Sequence, residues 1–399
     1  MSEGVLLIGQ RTWYYIFTVA QSSGEKRREA WVMNDKNKSI GAVRLTVDRI
    51  IGYLSKSYSV LINSGESLKK HPSVMLWGAP GVGKSQGVRQ IAASIEEMTG
   101  KRVHVTDVRL LLFNPVDLRG IPTANADKTL AVWLKPQIFQ MDDSDGVVNI
   151  LFLDEISAAP PSVQAAAYQI TLDRTVGEHK LPENCIVIAA GNRVTDKSVA
   201  YNMPRALANR LCHIEVVADA ASWHTWALKA GINRKVVAFL DYSPEFLISE
   251  EGQGDGLAYC TPRSWEMVSN MLNCVSERLE DVFPIIVGCI GESAAYSFKV
   301  WHEVYAKIPS SEDVFSGKSI PIPTKPEILY ALSADILAYA KKNRSEERMK
   351  NALAFISKMP REFRNKIFED LLSVKHMYKV FENNATFDDW FARSGRRWD

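Results

Sequence analysis

Residues 74–85 read VMLWGAPGVGKS, and the fold is decided by how this stretch is read. It satisfies the spacing G-x-x-x-x-G-K-[ST], with Gly78, Gly83, Lys84 and Ser85 in the fixed places. The four apolar residues Val74 to Trp77 read as a buried strand, and from Ser85 the sequence SQGVRQIAASIEEM carries apolar residues at helical spacing. Glycines let the loop from Gly78 through Ala79, Pro80, Gly81 and Val82 to Gly83 take φ values closed to other residues, turning backbone amides toward a phosphate. The helix that opens with Lys84, Ser85 and Gln86 adds the positive end of its dipole. Lys84 offers a mobile ammonium to the outer phosphates, and the Ser85 hydroxyl is a hard oxygen ligand for Mg²⁺. The spacing alone also fits an ordinary strand-turn-helix corner; the flanks favour the phosphate cradle.

Farther along, GVVNILFLDEI (residues 146–156) is an unbroken apolar run ending in two acids, which marks a central strand of a parallel sheet. Ligands of such sheets collect at the C-terminal strand ends. There Asp154 would hold Mg²⁺ through water, and Glu155 would polarise the water that attacks the terminal phosphate. A strand-end cap explains one acid more easily than two. CIVIAAGNR (residues 185–193) is apolar until Gly191 and Asn192, and Asn192 is either a turn residue or a group that orients the attacking water.

Strands beginning near Val74, Val103, Asn149, Cys185 and His213, with helices between them, predict a five-stranded parallel sheet covered on both faces. From Val43 to Gly65 the apolar residues Val43, Val47, Ile50, Ile51, Leu54 and Leu61 predict a helix beside the loop. Two turn-rich inserts, Asn114 to Pro136 and Asp173 to Asn184, read as hairpins. MPRALANRL (residues 203–211) reads as a short helix carrying Arg205 and Arg210. Beyond Asp219 the periodicity is helical throughout, broken by a Pro- and Ser-rich link over residues 308–326. The expected divisions are an N-terminal extension (1–42) suited to a small β element or a leader, an α/β nucleotide-binding domain (43–220), a helical lid (221–307), and a linker with C-terminal helices (308–399).

With 48 basic and 46 acidic side chains in 399 residues, the chain has no strong charge bias, which argues against an obligate nucleic-acid coat or a membrane-surface protein. The five cysteines, Cys185, Cys212, Cys260, Cys274 and Cys289, contain no C-x-x-C pair and read as reduced core thiols. The most apolar N-terminal run, Val5 to Ala20, is interrupted by Gln10 and Arg11 and lacks a basic start and a cleavage site. A soluble, cytoplasmic protein without a membrane span is expected.

Taken in order, GAPGVGKS, ILFLDE, Asn192, an arginine in LANRL and TPRSWEMV resemble the AAA+ ATPases, and within them the MoxR group. The resemblance covers residues 43–279. It implies a P-loop AAA+ core with Walker A and Walker B motifs, Asn192 as the sensor 1 residue, Arg210 as the arginine finger with Arg205 as a nearby second candidate, and Arg263 as sensor 2. The two inserts resemble the helix 2 insert and the pre-sensor 1 hairpin of that group. It further implies ATP and Mg²⁺ as cofactors, a homo-oligomeric, typically hexameric ring in which Arg210 reaches the neighbour's phosphate, and a client protein, possibly one with a von Willebrand factor type A domain. Leu211 stands where the family commonly has Phe. Two other functions fit the motifs. One is a nucleic-acid motor whose pore would be lined by Lys128, Lys135, Arg174, His179 and Lys180; Asp127, Asp173 and Glu178 offset that charge. The other is a nucleotide-gated scaffold, which would need neither Glu155 nor Asn192 nor Arg210.

Overall fold

In a computed structural model, the described residues are 42–193, 201, 203, 208–249, 257–274, 278–305, 307–342, 345–372 and 385–393. The expected N-terminal β element or leader and Arg205 lie outside them.

Six parallel strands form the central sheet: β1 (Val43–Thr46), β2 (Val74–Trp77), β3 (Arg102–Arg109), β6 (Val147–Asp154), β9 (Cys185–Gly191) and β10 (Cys212–Val217), in the order β1-β10-β2-β9-β6-β3. The intervening short strands pair as antiparallel hairpins, β4 (Ile121–Ala124) with β5 (Ala131–Leu134) and β7 (Thr175–Val176) with β8 (His179–Lys180). All five expected strands and both expected hairpins are present.

The sheet has one strand more than expected, and the helix drawn from Val43 begins only at Val47: α1 spans Val47–Asn63. Val43 and Leu45 alternate with Arg44 and Thr46, a period-2 signal too short to stand out against the helical spacing that follows. The register Val43↔Ile214 to Thr46↔Val217 places these four residues on β10. An ion pair from Arg44 to Glu215 (3.4 Å) ties them there, and Arg193 pairs with the same oxygen of this buried carboxylate. A buried carboxylate is costly unless so paired.

The period-2 alternation of the strands divides their side chains between two cores. Leu76, Ile150, Phe152, Ile186 and Ile188 meet α1 and α2 (Lys84–Thr99) through Ile50, Leu54, Tyr58, Ile91 and Ile95. Met75, Leu151, Leu153, Val187 and Ala189 meet Val163, Ala167 and Ile170 of α4 (Pro161–Asp173), which follows the short α3 (Pro115–Arg119). Both faces are therefore covered, and β2 is flanked by β10 and β9.

The regular structure described after β10 is helical. α5 (Ala220–Ala230), α6 (Arg234–Tyr242), α7 (Pro262–Cys274), α8 (Leu279–Ile290) and α9 (Glu292–Tyr305) enclose an aromatic core of Trp223, Phe239, Trp265, Phe298 and Trp301. Among the described residues the C-terminal helices are α10 (Ser311–Phe315), α11 (Pro326–Lys342), α12 (Glu346–Ile356), α13 (Arg361–Leu371) and α14 (Ala385–Arg393). They share a separate core that includes Phe315, Leu332, Ile356 and Phe368. Polar joints connect the two groups. Asp335 of α11 accepts from Tyr305 (3.0 Å) and Ser311 (2.5 Å) and pairs with Arg234 (2.6 Å). His224 of α5 lies 2.9 Å from Asp241 of α6 and 3.2 Å from Asp370 of α13.

No described helix is long and apolar enough to cross a membrane. All five cysteines are free; Cys185 and Cys260 are buried as expected, but Cys274, at the last turn of α7, is exposed and is no core thiol.

Candidate nucleotide site

The loop after β2 leaves the sheet beside the end of β9, where Gly78 N–H donates to Gly191 O (3.2 Å). Gly81 and Gly83 take φ of +77° and +105°, so their backbone adopts the left-handed turns that only glycine enters without strain. Gly83 is the N-cap of α2, which points its first amides back along the loop.

Functional side chains from three strand ends meet here. The Lys84 ammonium donates to Gly78 O (2.6 Å), Ala79 O (3.0 Å) and Asn192 Oδ1 (2.9 Å). Ser85 Oγ donates to Asp154 Oδ2 (2.8 Å). Thus Lys84, Ser85, Asp154 and Asn192, scattered over more than a hundred positions, come within direct hydrogen-bond reach.

Glu155 follows at the turn out of β6, with φ +57°. Its N–H donates to Asp154 Oδ1 (2.9 Å), and the next amide, Ile156 N–H, donates to Ala190 O (3.0 Å), pulling the chain under β9. A non-glycine residue held there costs about 1–3 kcal/mol. This strain was invisible in the sequence, because glutamate carries no signal for a left-handed backbone.

Ser157 is a further residue the motifs do not single out. Its Oγ accepts from Asn192 N–H (2.9 Å), and a Cβ at Gly191 would come within 2.6 Å of that oxygen. Gly191 is therefore the close approach that lets Ser157 fix the backbone of Asn192.

The start of α7 rests on the loop. A Cβ built at Gly81 would lie 2.9 Å from Thr261 Oγ1 and 3.4 Å from Arg263 Cβ. Thr261 Oγ1 accepts from Ser264 N–H (3.0 Å) and Ser264 Oγ accepts from Thr261 N–H (2.8 Å), a reciprocal cap that fixes this helix start. Arg263 is exposed in the first turn of the same helix, beside the glycine loop as its place in TPR suggests.

Arg210 does not join this group. Cys212 N–H donates to Ser73 O (2.9 Å) and Cys212 pairs with Val74, so Arg210 sits at the N-terminal end of the strands. Gly78 lies beyond all four residues of β2, roughly 13 Å farther along. Arg210 is exposed in a cleft of about 350 Å³ shared with Lys69, His71, Ser73, Asp173 and Arg174, and has no ion-pair partner among the described residues.

Arg174, offered as a pore cation, is buried and committed: Nη1 donates to Cys185 O (2.7 Å) and Nη2 to His71 O (3.4 Å). His179 bonds Trp133 O (2.8 Å), tying the second hairpin to the first. Of the proposed nucleic-acid contacts, Arg174 is thereby removed.

The residues present fit a magnesium nucleotide. Glycine amides and Lys84 suit the phosphates, and Ser85 and Asp154 bring two hard oxygens together. Among the described residues no cluster of three His, Cys, Asp or Glu side chains exists. A two-oxygen donor set is what Mg²⁺ requires when phosphates and water complete its shell.

Comparison with known proteins agrees with this geometry. Residues 73–213 match the profile described as "ATPase family associated with various cellular activities (AAA)", a span that contains Lys84, Ser85, Asp154, Glu155, Asn192 and Arg210. No curated protein matches the chain. Solved structures with some likeness include a protein of Cytophaga hutchinsonii proposed to be an ATPase (18% identity, 87% of this chain and 91% of that one, TM-score 0.30). A mutant of Thermotoga maritima RuvB (13%, 88% and 89%, 0.33) and Brucella abortus NtrX in complex with ATP (13%, 92% and 74%, 0.33) are similar at the same level. Likeness that low carries no argument about activity; the fold rests on the sheet order and the loop. Residues 73–213 are similar to an AAA-type ATPase domain. The protein is an ATPase with an α/β P-loop fold and a helical C-terminal part.

Proposed function

We propose that the chain is one subunit of a MoxR-like AAA+ ring that hydrolyses ATP with Mg²⁺ and uses the motion to remodel or activate a partner protein. The observation that carries this reading is the separation of Arg210 from Lys84 at opposite ends of the sheet. An exposed guanidinium with no described partner, facing away from its own phosphate loop, complements the loop of a second copy. Such fingers are worth about 10³ to 10⁵ in rate.

When bound, the magnesium nucleotide supplies the phosphoryl group and neutralises its charge. The chain's own groups do the rest. Lys84 and the loop amides hold the phosphates, with Gly78 to Gln86 as the cradle. Ser85 and Asp154 hold the metal. Glu155 accepts a proton from water at its carboxylate, Asn192 orients that water, and Arg263 closes from the lid onto the loop. A hexamer is the proposed assembly, and the proposed functional divisions are 43–220, 221–307 and 308–399. Separate lid and C-terminal cores support the last two, with Ala331 of α11 reaching into the lid's core.

The client is proposed to be a polypeptide, and one with a von Willebrand factor type A domain is the partner the motif resemblance implies. The first hairpin supports a protein client, since Ile121, Leu130 and Leu134 are all more than half exposed on it. Glu155→Gln tests the catalytic core of the proposal. It should bind ATP with wild-type affinity while turnover falls about 10² to 10⁴-fold; turnover equal to wild type would remove Glu155 from the chemistry.

A further inference from the structure

Trp77 is the last residue of the strand that delivers the phosphate loop, and its side chain turns toward β10. The indole Nε1–H donates to His213 Nδ1 (2.9 Å), with the two ring planes 19° apart. The other ring nitrogen, Nε2, lies 2.7 Å from Ala208 O. These two contacts settle the tautomer. An indole N–H can only donate, so Nδ1 is the bare acceptor, and the hydrogen on Nε2 is donated to the Ala208 carbonyl.

The same carbonyl accepts Leu211 N–H (3.3 Å). That bond closes the turn Ala208 to Leu211, and the third residue of the turn is Arg210. Trp77 also packs against the core that holds Leu211, so polar and apolar contacts connect the same two pieces of chain. None of the groups assigned above to phosphate, metal or water takes part in this path. A histidine hydrogen-bonded at both nitrogens is a strut, and it runs from the base of one phosphate loop to the turn that carries the guanidinium proposed to serve another.

We propose that Trp77 and His213 are positioning residues for Arg210: they fix the finger-bearing turn to the phosphate-loop strand of its own subunit and so set where the guanidinium enters the neighbour's site. The inference rests on Arg210 acting in trans. It also gives the subunit a route by which displacement of the phosphate-loop strand moves the finger, since β2 and the turn cannot shift independently while both bonds hold.

Mixed assemblies test this. A Lys84→Ala subunit serves only as finger donor and an Arg210→Ala subunit only as nucleotide site; mixed, they should recover turnover. His213→Leu is then placed in one partner at a time. The proposal predicts that Lys84→Ala/His213→Leu with Arg210→Ala recovers about tenfold less activity or lower, since a misplacement near 1 Å can cost a hundredfold. Lys84→Ala with Arg210→Ala/His213→Leu should recover as much as the parent mixture. His213→Gln, whose amide can accept from Trp77 and donate to Ala208, should restore part of the donor's capacity, and Trp77→Phe in the donor should lower it. Equal recovery whichever partner carries His213→Leu would overturn the positioning role while leaving the trans finger intact. No recovery in the parent mixture would overturn the trans finger itself, and the positioning role with it.

Discussion

At the C-terminal ends of the strands, Lys84 is hydrogen-bonded to Asn192 and Ser85 to Asp154. At the N-terminal ends, Arg210 stands exposed with no ion-pair partner among the described residues. The first end is a preorganised site whose donors and acceptors already satisfy each other. The second is a projecting charge in an open cleft. An exposed cation contributes little to the stability of its own subunit, which is consistent with the role proposed for Arg210 in a neighbouring subunit.

Three substitutions break or sharpen that contrast, in order of expected effect. Arg210→Ala should lower turnover about 10³ to 10⁵-fold with nucleotide affinity unchanged, read from steady-state hydrolysis beside direct nucleotide titration. A loss of affinity instead would mean that Arg210 serves its own loop. Gly81→Ala should weaken nucleotide binding about tenfold, because it strains a left-handed backbone and drives a methyl into Thr261. Adding Thr261→Gly should recover part of the loss if the contact with Thr261 contributes, and none if backbone strain accounts for all of it. Glu155→Gly should be more stable to denaturant than Glu155→Ala by about 1 kcal/mol, since glycine relieves the φ of +57° and alanine does not. Equal stabilities would show that the turn at Glu155 is unstrained.

Away from both ends, the joint that His224 of α5 makes with Asp241 of α6 and Asp370 of α13 is predicted to be pH-sensitive. Burial opposes the charge on His224, but Asp241 and Asp370 outweigh it and push its pKa up to about 9. A histidine whose folded pKa exceeds its unfolded value stabilises the fold fully below the unfolded pKa. That stabilisation is lost as pH rises through the folded pKa, here between about 6.5 and about 9. His224→Gln should flatten the decline in thermal stability over that window; an unchanged decline would exclude this joint as its source.

Much of the fold was legible because its signals are local. The loop needs glycines at fixed spacing, and buried parallel strands are unbroken apolar runs, so β2, β6 and β9 could be read directly. β1 could not, since four alternating residues become a strand only through their register with β10 and the demand of buried Glu215 for a cation. In the site, Lys84, Ser85 and Asp154 announce themselves by motif. Ser157, Thr261, Trp77 and His213 do not, because their partners lie on other strands or helices and nothing in sequence spacing encodes a contact across the sheet. Arg174 shows the same limit from the other direction, as a basic residue in a hairpin that serves buried carbonyls.

The central claim is that each active site takes its groups from two subunits. Mixing Lys84→Ala with Arg210→Ala, each inactive alone, tests it most directly by the hydrolysis rate of the mixture. Partial recovery of turnover is the predicted result, from sites where an intact phosphate loop meets an intact Arg210. A mixture as inactive as its components, in assemblies shown to contain both subunits, would contradict it.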